Sequence, residues 1–196
     1  MIGKAELLEV IAGTNRGLLA GDRDRTAILA AIAQLEDRNP TQRPLESEWL
    51  EGDWRLLYTS SQDLLGLGRL PGVRLGQIYQ CVRLDEAKIY NIAELEGIPG
   101  LESIVSVAAR ITPQSEQRVQ VRFERSVIGL QRLLPYRSPG GLIATLQSGN
   151  PRFALDFTID AQRQQGWLDI TYLDANLRLG RGNEGSVFVL AKVKSL

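Results

Sequence analysis

The 196-residue chain has 43% hydrophobic and 23% charged side chains, enough apolar material for a full core and a length that fits one domain or a domain with a small appendage. Lysine plus arginine equals aspartate plus glutamate at 23 each, so no net charge draws the chain to nucleic acid or to an anionic bilayer, and no nucleic-acid partner is expected. With no histidine and a single cysteine, Cys81, it lacks the commonest general base, the commonest transition-metal ligand and any intrachain disulfide, so serine hydrolase, zinc enzyme and cysteine protease readings lose their chemistry and no metal or cofactor is expected.

The amino terminus reaches acidic, helix-forming residues by Glu6, without the charged and apolar regions of a secretory signal. Leu7, Leu8 and Ile11 share one helical face, as do Ile28, Leu29, Ile32 and Leu35. Gly17, Gly21 and Asn39-Pro40 punctuate these runs, which predicts helices over 3–13 and 22–38. Asp22-Arg23-Asp24 is read as a helix cap, since no series of calcium ligands continues beyond it. Asn39-Pro40-Thr41 is no glycosylation acceptor, because proline occupies its central position.

From Trp49 onward the period becomes two. Strands are predicted over 53–60, 76–84, 88–96 and 103–112. Val119, Val121 and Phe123 then alternate with charged and polar residues, Phe153, Leu155 and Phe157 do the same, and further strands follow at 167–173, 176–181 and 186–194. These are about nine strands with mostly short links, and short links favour antiparallel neighbours. The expected fold is mainly β: an antiparallel barrel of eight or nine strands, closed or left open at one seam. The whole of 1–196 reads as one domain, a helical segment at 1–45 packed on a barrel at 46–196. The longest apolar runs, Ala27 to Ala33 and Ile104 to Ala109, are too short to span a bilayer, so any membrane contact is expected to be peripheral.

Two stretches interrupt the regularity. Residues 61–75 and 129–151 read as loops rich in Gly and Pro that still carry Leu64, Leu65, Leu67, Leu70, Leu133, Leu134, Leu142 and Ile143. Packing on the barrel's own wall is the favoured reading, with a ligand portal or a membrane-touching lid as the alternative. Gly66 to Gly72 is an ordinary loop, since proline stands where the third glycine of a dinucleotide fingerprint belongs and no glycine-lysine pair follows. The carboxylate pairs Asp85-Glu86 and Glu94 with Glu96 are what any β-rich domain carries and give little weight to a glycosidase reading.

The positive signals are aromatic. Gly52-Asp53-Trp54 opens the first long strand with a G-x-W arrangement similar to the entrance of lipocalin barrels. There the tryptophan lies beneath an arginine from near the end of the sheet, which makes Arg178 and Arg181 the matching candidates here; the favoured reading is that Trp54, Asp174 and Arg178 brace the fold and touch no ligand. Asp174 is expected to accept backbone N–H bonds in the turn that follows it. Tyr58, Phe123, Phe153 and Tyr172 are the candidate walls of a ligand pocket, with Trp54 at its base, because alternating positions direct large rings to one face.

Two blocks carry a wider resemblance. Leu50-Glu51-Gly52-Asp53-Trp54-Arg55-Leu56-Leu57-Tyr58-Thr59-Ser60 and the block Trp167 to Asp174, Leu177 to Asn183 and Ser186 to Leu190 resemble, in order, the two landmarks of the plastid lipid-associated protein (PAP) or fibrillin family. Leu8 to Gly17 with Arg16-Gly17, Ile28 to Pro40 with Asn39-Pro40, Gln77 to Val82 and Ile89 to Ala93 extend the likeness over nearly the whole chain. Ala175 and Gly180 depart from the pattern, at turn or strand-edge positions. The resemblance implies a non-catalytic, lipocalin-like protein of photosynthetic membranes that binds, coats or delivers carotenoids, prenylquinones or related isoprenoid lipids. The alternative is a scaffold that coats lipid bodies, or supports an isoprenoid-pathway enzyme, without an internal ligand. An enzyme working through carboxylates alone is the third and weakest reading. No plastid transit peptide is visible. The resemblance then implies a cyanobacterial member at the periphery of thylakoids or lipid bodies, or a mature plastid form in the stroma or at plastoglobules.

Overall fold

The change of period near Trp49 is where helix gives way to sheet. In the computed structural model, described for residues 3–194 except 69, 70, 98, 135, 150–153 and 161–164, α1 (Lys4–Ile11) and α2 (Asp22–Glu36) precede β1 (Gly52–Thr59). Then follow α3 (Gln62–Leu67), β2 (Arg74–Arg83), β3 (Lys88–Glu96), β4 (Ser103–Pro113), β5 (Arg118–Leu130), α4 (Pro139–Gln147), β6 (Ala154–Thr158), β7 (Gln165–Leu173), β8 (Leu177–Gly182) and β9 (Val187–Lys192). Every strand pairing is antiparallel. The sheet runs β4-β3-β2-β1-β9-β8-β7-β5, and the β4–β5 pairing closes it into an eight-stranded barrel.

The ninth strand, β6, lies outside that ring. β5 is 13 residues long; its first half, from Arg118 to Arg122, pairs with β7, and its second half, from Arg125 to Gly129, pairs with β6. The wall therefore continues past the point where β7 leaves it. Closing a sheet removes the unpaired edges that an open one would expose.

Three apolar clusters divide the core. Inside the barrel are Trp54, Leu56, Ile78, Val82, Ile89, Ala93, Ala109, Ile111, Val119, Val121, Leu168, Ile170, Leu173 and Leu190. On one outer face, Leu7, Ile11, Ile28, Ile32 and Leu35 of α1 and α2 pack against Tyr58, Tyr172, Leu177, Leu179, Val187 and Val189. On another, Leu142, Ile143 and Leu146 of α4, with Leu134, cover Cys81, Tyr90, Ile92, Ile104 and Val127. Each buried Leu, Ile or Val side chain contributes about 1.5–3 kcal/mol, so both outer layers stabilise the barrel directly.

The connection between α1 and α2 is fixed to the sheet by backbone. Arg16 forms a parallel bridge with Tyr58, its carbonyl accepting from Thr59 N at 3.1 Å. Next to it Gly17 has φ +106°, and a Cβ there would stand 2.2 Å from the Thr59 carbonyl oxygen, so only glycine fits. Beyond α2, Asn39 Oδ1 accepts from Leu173 N at 3.0 Å and Thr41 Oγ1 donates to Leu173 O at 2.7 Å. Asn39-Pro40, a helix stop in the sequence, is thus also the clip that ends β7. The cap reading of Asp24 matches its bond from Gly21 N, 2.9 Å.

Two expectations need correction. The stretches 61–75 and 129–151 are not irregular throughout, since they contain α3 and α4. In α4, Ser138 accepts from Gly141 N at 3.1 Å and Pro139 occupies the first turn, a sound helix start. Gly140 and Gly141 dilute the helical period in the sequence; burial of Leu142, Ile143 and Leu146 on the barrel's outer wall outweighs that weak propensity.

Candidate functional site: the barrel interior and its floor

Alternation along β1, β2 and β8 sends Trp54, Gln80 and Arg178 inward at one level. Trp54 is paired with Gln80 on β2 and with Lys192 on β9. The indole is fully buried and its Nε1 donates to Leu50 O at 3.0 Å. The Arg178 guanidinium carbon lies 5.0 Å from the ring centroid, and Nζ of Lys192 lies 4.4 Å from it, both within cation-π range. Lys192 donates to the carbonyls of Trp49 and Glu51. Gly52, with φ +112°, leaves room for that ammonium, since a Cβ there would lie 3.2 Å from Nζ.

Arg178 is 1% exposed. One of its nitrogens, Nη2, donates to Gln80 Oε1, and Gln80 Nε2 donates to Asn91 Oδ1 at 3.0 Å. Its other terminal nitrogen, Nη1, is buried with no hydrogen-bond partner. Burial pulls the Arg178 pKa down to about 9, which still leaves a cation at neutral pH.

Arg181 has a different task. It points outward and holds Glu36 of α2 through two bonds of 2.8 and 2.7 Å. Asp174 accepts from Asn176 N (2.8 Å) and Leu177 N (3.0 Å) in its turn, and also from the Tyr172 hydroxyl at 2.5 Å and from Lys4 of α1. Burial alone raises that carboxyl, but these donors together hold it below its ordinary value.

Tyr58 and Tyr172 are not walls of the interior. Simple alternation from Trp54 and Ile170 would turn both inward. A β-bulge between Leu56 and Tyr58, and another between Ile170 and Tyr172, each insert one residue. Leu56 thus pairs with inward Leu190 but Tyr58 with outward Val189, and Ile170 with Gly180 but Tyr172 with outward Leu179. Both tyrosines face α1 and α2 instead. Phe123 does pack against the interior cluster, while Phe153 lies outside the described residues.

At the end opposite Trp54 the interior is not filled. Inward Val105, Val107, Phe123, Ser126 and Phe188 are only half-buried, as are Gln80 and Asn91 deeper down. Another bulge, at Glu124 of β5 opposite Ala108 and Ala109, turns Ser126 and Ile128 to the inner face, where they pair with Phe157 and Leu155 of β6. Ile128 is 38%, Phe157 49% and Leu155 62% exposed. A groove of about 650 Å³, lined by Glu124, Arg125 and the residues of β6, runs along this strand. Leu64 and Leu67 of α3, with Leu18, pack against the interior cluster. The result is a concave apolar wall leading to a polar chain of Asn91, Gln80 and Arg178. Gln80, Asn91, Phe188 and Lys192 carried no sequence signal as site residues, because an isolated amide or lysine in a strand looks like any solvent-facing position.

The PAP_fibrillin family profile matches residues 1–191. The chain is 34% identical to "Probable plastid-lipid-associated protein 2, chloroplastic" of Arabidopsis thaliana, over 96% of this chain and 70% of that protein. It is 36% identical to "Light-induced protein, chloroplastic" of Solanum tuberosum, over 96% of this chain and 66% of that protein. It is 32% identical to "Chromoplast-specific carotenoid-associated protein, chromoplastic" of Cucumis sativus, over 96% and 67%. The chain thus spans about two thirds of these relatives' length. With the two sequence blocks meeting at the Trp54 floor of a closed antiparallel barrel, this chain belongs to the plastid lipid-associated protein/fibrillin family.

Proposed function

We propose that the barrel binds and carries one elongated apolar molecule, a carotenoid, prenylquinone or related isoprenoid lipid, without catalysing its conversion. The observation that carries this reading is the inward apolar wall of Phe123, Ile128, Leu155, Phe157 and Phe188, which keeps contact with solvent inside a concave surface. Large rings and branched side chains gathered on one concave face supply the contact area that an apolar guest needs. The printed names associate the Arabidopsis thaliana relative with plastid lipid and the Cucumis sativus relative with carotenoid, which fits an apolar guest. The same mouth would meet a thylakoid or lipid-body surface to load and unload.

Burial of apolar area at roughly 25 cal/mol per Å² drives such binding, so affinity should change little with salt. Organic extraction of the purified protein with mass spectrometry of the extract, and titration with a carotenoid and a prenylquinone at low and high ionic strength, test it. Saturable, salt-insensitive binding to either supports the reading. Absence of both a co-purifying lipid and saturable binding would turn the function toward a surface scaffold, for a lipid body or an isoprenoid-pathway enzyme.

A further inference from the structure

Charge inside the barrel is one-sided. Among the described strand residues, the carboxylates Asp53, Glu94, Glu96, Glu124, Asp156 and Asp169 all alternate to the outer face. There they meet Arg83, Tyr136, Arg74, Arg110, Arg125 and Arg118 respectively. Two cations turn inward, Arg178 and Lys192. Lys192 is occupied by two backbone carbonyls. Arg178 has one neutral acceptor, Gln80 Oε1, and a bare buried Nη1. A buried cation normally sits beside an anion or a full set of acceptors, because desolvation without them is costly. Gln80, which screens the guanidinium, is only half-buried.

Resting on the barrel-carrier reading, we propose that the guest is an amphipathic lipid acid whose carboxylate displaces Gln80 and takes a two-pronged grip on Nη1 and Nη2 of Arg178, its chain running up the apolar wall. Gln80 Oε1 now occupies the place of one carboxylate oxygen; the bare Nη1 marks the place of the second. Guanidinium and carboxylate match in this geometry. Arg178 projects from the inner face of β8, where its contacts are the floor residues Trp54 and Gln80.

The probes are cis-parinaric acid and its methyl ester, which share one fluorescent chain and differ in the charged head. The wild-type protein should bind the acid at least about tenfold more tightly than the ester, the equivalent of one charge-assisted pair. Arg178→Met should bring the acid down to the ester's affinity, and Gln80→Ala, which removes the competing acceptor, should raise acid binding and leave the ester unchanged. Should Arg178→Met fail to fold, wild type and Gln80→Ala decide alone. A second measurement uses wild-type protein and palmitate labelled with carbon-13 at the carboxyl: the bound signal should stay at the ionised position below the ordinary carboxylate pKa. Equal affinity for acid and ester, or a Gln80→Ala protein with no gain for the acid, overturns the head-group assignment while leaving the carrier reading intact. Binding of neither probe overturns both.

Discussion

The guanidinium of Arg178 lies 5.0 Å over the indole of Trp54, joining the two sequence blocks that are more than a hundred residues apart. Strand order explains the meeting: β1 pairs with β9, and β9 with β8, so Trp54, Lys192 and Arg178 converge on one end of the barrel. Trp54→Phe removes the Nε1 donation to Leu50 O and part of the stacked surface, and is expected to lower stability by about 2–3 kcal/mol. Urea unfolding followed by far-ultraviolet circular dichroism measures this; an unchanged midpoint would mean that the floor contact does not stabilise the fold.

A second prediction concerns acid. Asp174 has a folded pKa below its ordinary 3.8, although burial opposes this, because Lys4, Tyr172 and two backbone N–H groups donate to it. A carboxyl lowered on folding gives its full stabilisation above the unfolded pKa and loses it as pH falls through the folded one. Stability from this site should be level above about pH 5 and decline below about pH 4. Asp174→Asn should flatten that decline, and Asp174→Ala should cost about 3 kcal/mol at neutral pH by leaving Lys4 without its partner. Equilibrium unfolding at a series of pH values tests both, and an identical acid profile in Asp174→Asn would refute the assignment.

The bulges separate wall from buttress, and mutations should separate them too. Phe123→Ala and Phe157→Ser each remove apolar contact inside the mouth, and should weaken binding of an apolar polyene about tenfold or more. Tyr58→Phe and Tyr172→Phe lie on the far side of the wall. Their affinity should equal that of wild type, while Tyr172→Phe loses its bond to Asp174 and about 1 kcal/mol of stability. Loss of binding in Tyr58→Phe would place the pocket on the wrong face.

Gly17→Ala tests the seat of the amino-terminal segment. A methyl group 2.2 Å from the Thr59 carbonyl, at φ +106°, forces the Arg16–Tyr58 bridge apart and should cost about 2–4 kcal/mol. Gly13→Ala is the control: its φ is also positive, at +79°, but nothing lies within 4 Å of the added Cβ, so only backbone strain of about 1 kcal/mol is expected. Thermal unfolding of the two variants side by side distinguishes them, and equal losses would show that the steric contact is unimportant.

Alternating periodicity in the sequence was enough to locate the strands, because side-chain direction in a strand has a period of two and one face is buried. The helical runs at Leu7 to Ile11 and Ile28 to Leu35 were legible for the same kind of reason; the turn role of Asp174 followed from turn chemistry, and the pairing of Trp54 with an arginine from the final signature only from the likeness to lipocalin barrels. Face assignment was not legible. Register shifts near Leu57 and Thr171 turn Tyr58 and Tyr172 outward, and a bulge is a relation between two strands that leaves no mark in the periodicity of either one. The glycines of α4 concealed a helix whose stability comes from the wall it covers. The polar chain of Arg178, Gln80 and Asn91 exists only because closure brings β8, β2 and β3 around one interior. Local alternation determined which residues form the sheet; barrel closure, register and burial decided which of them face a guest.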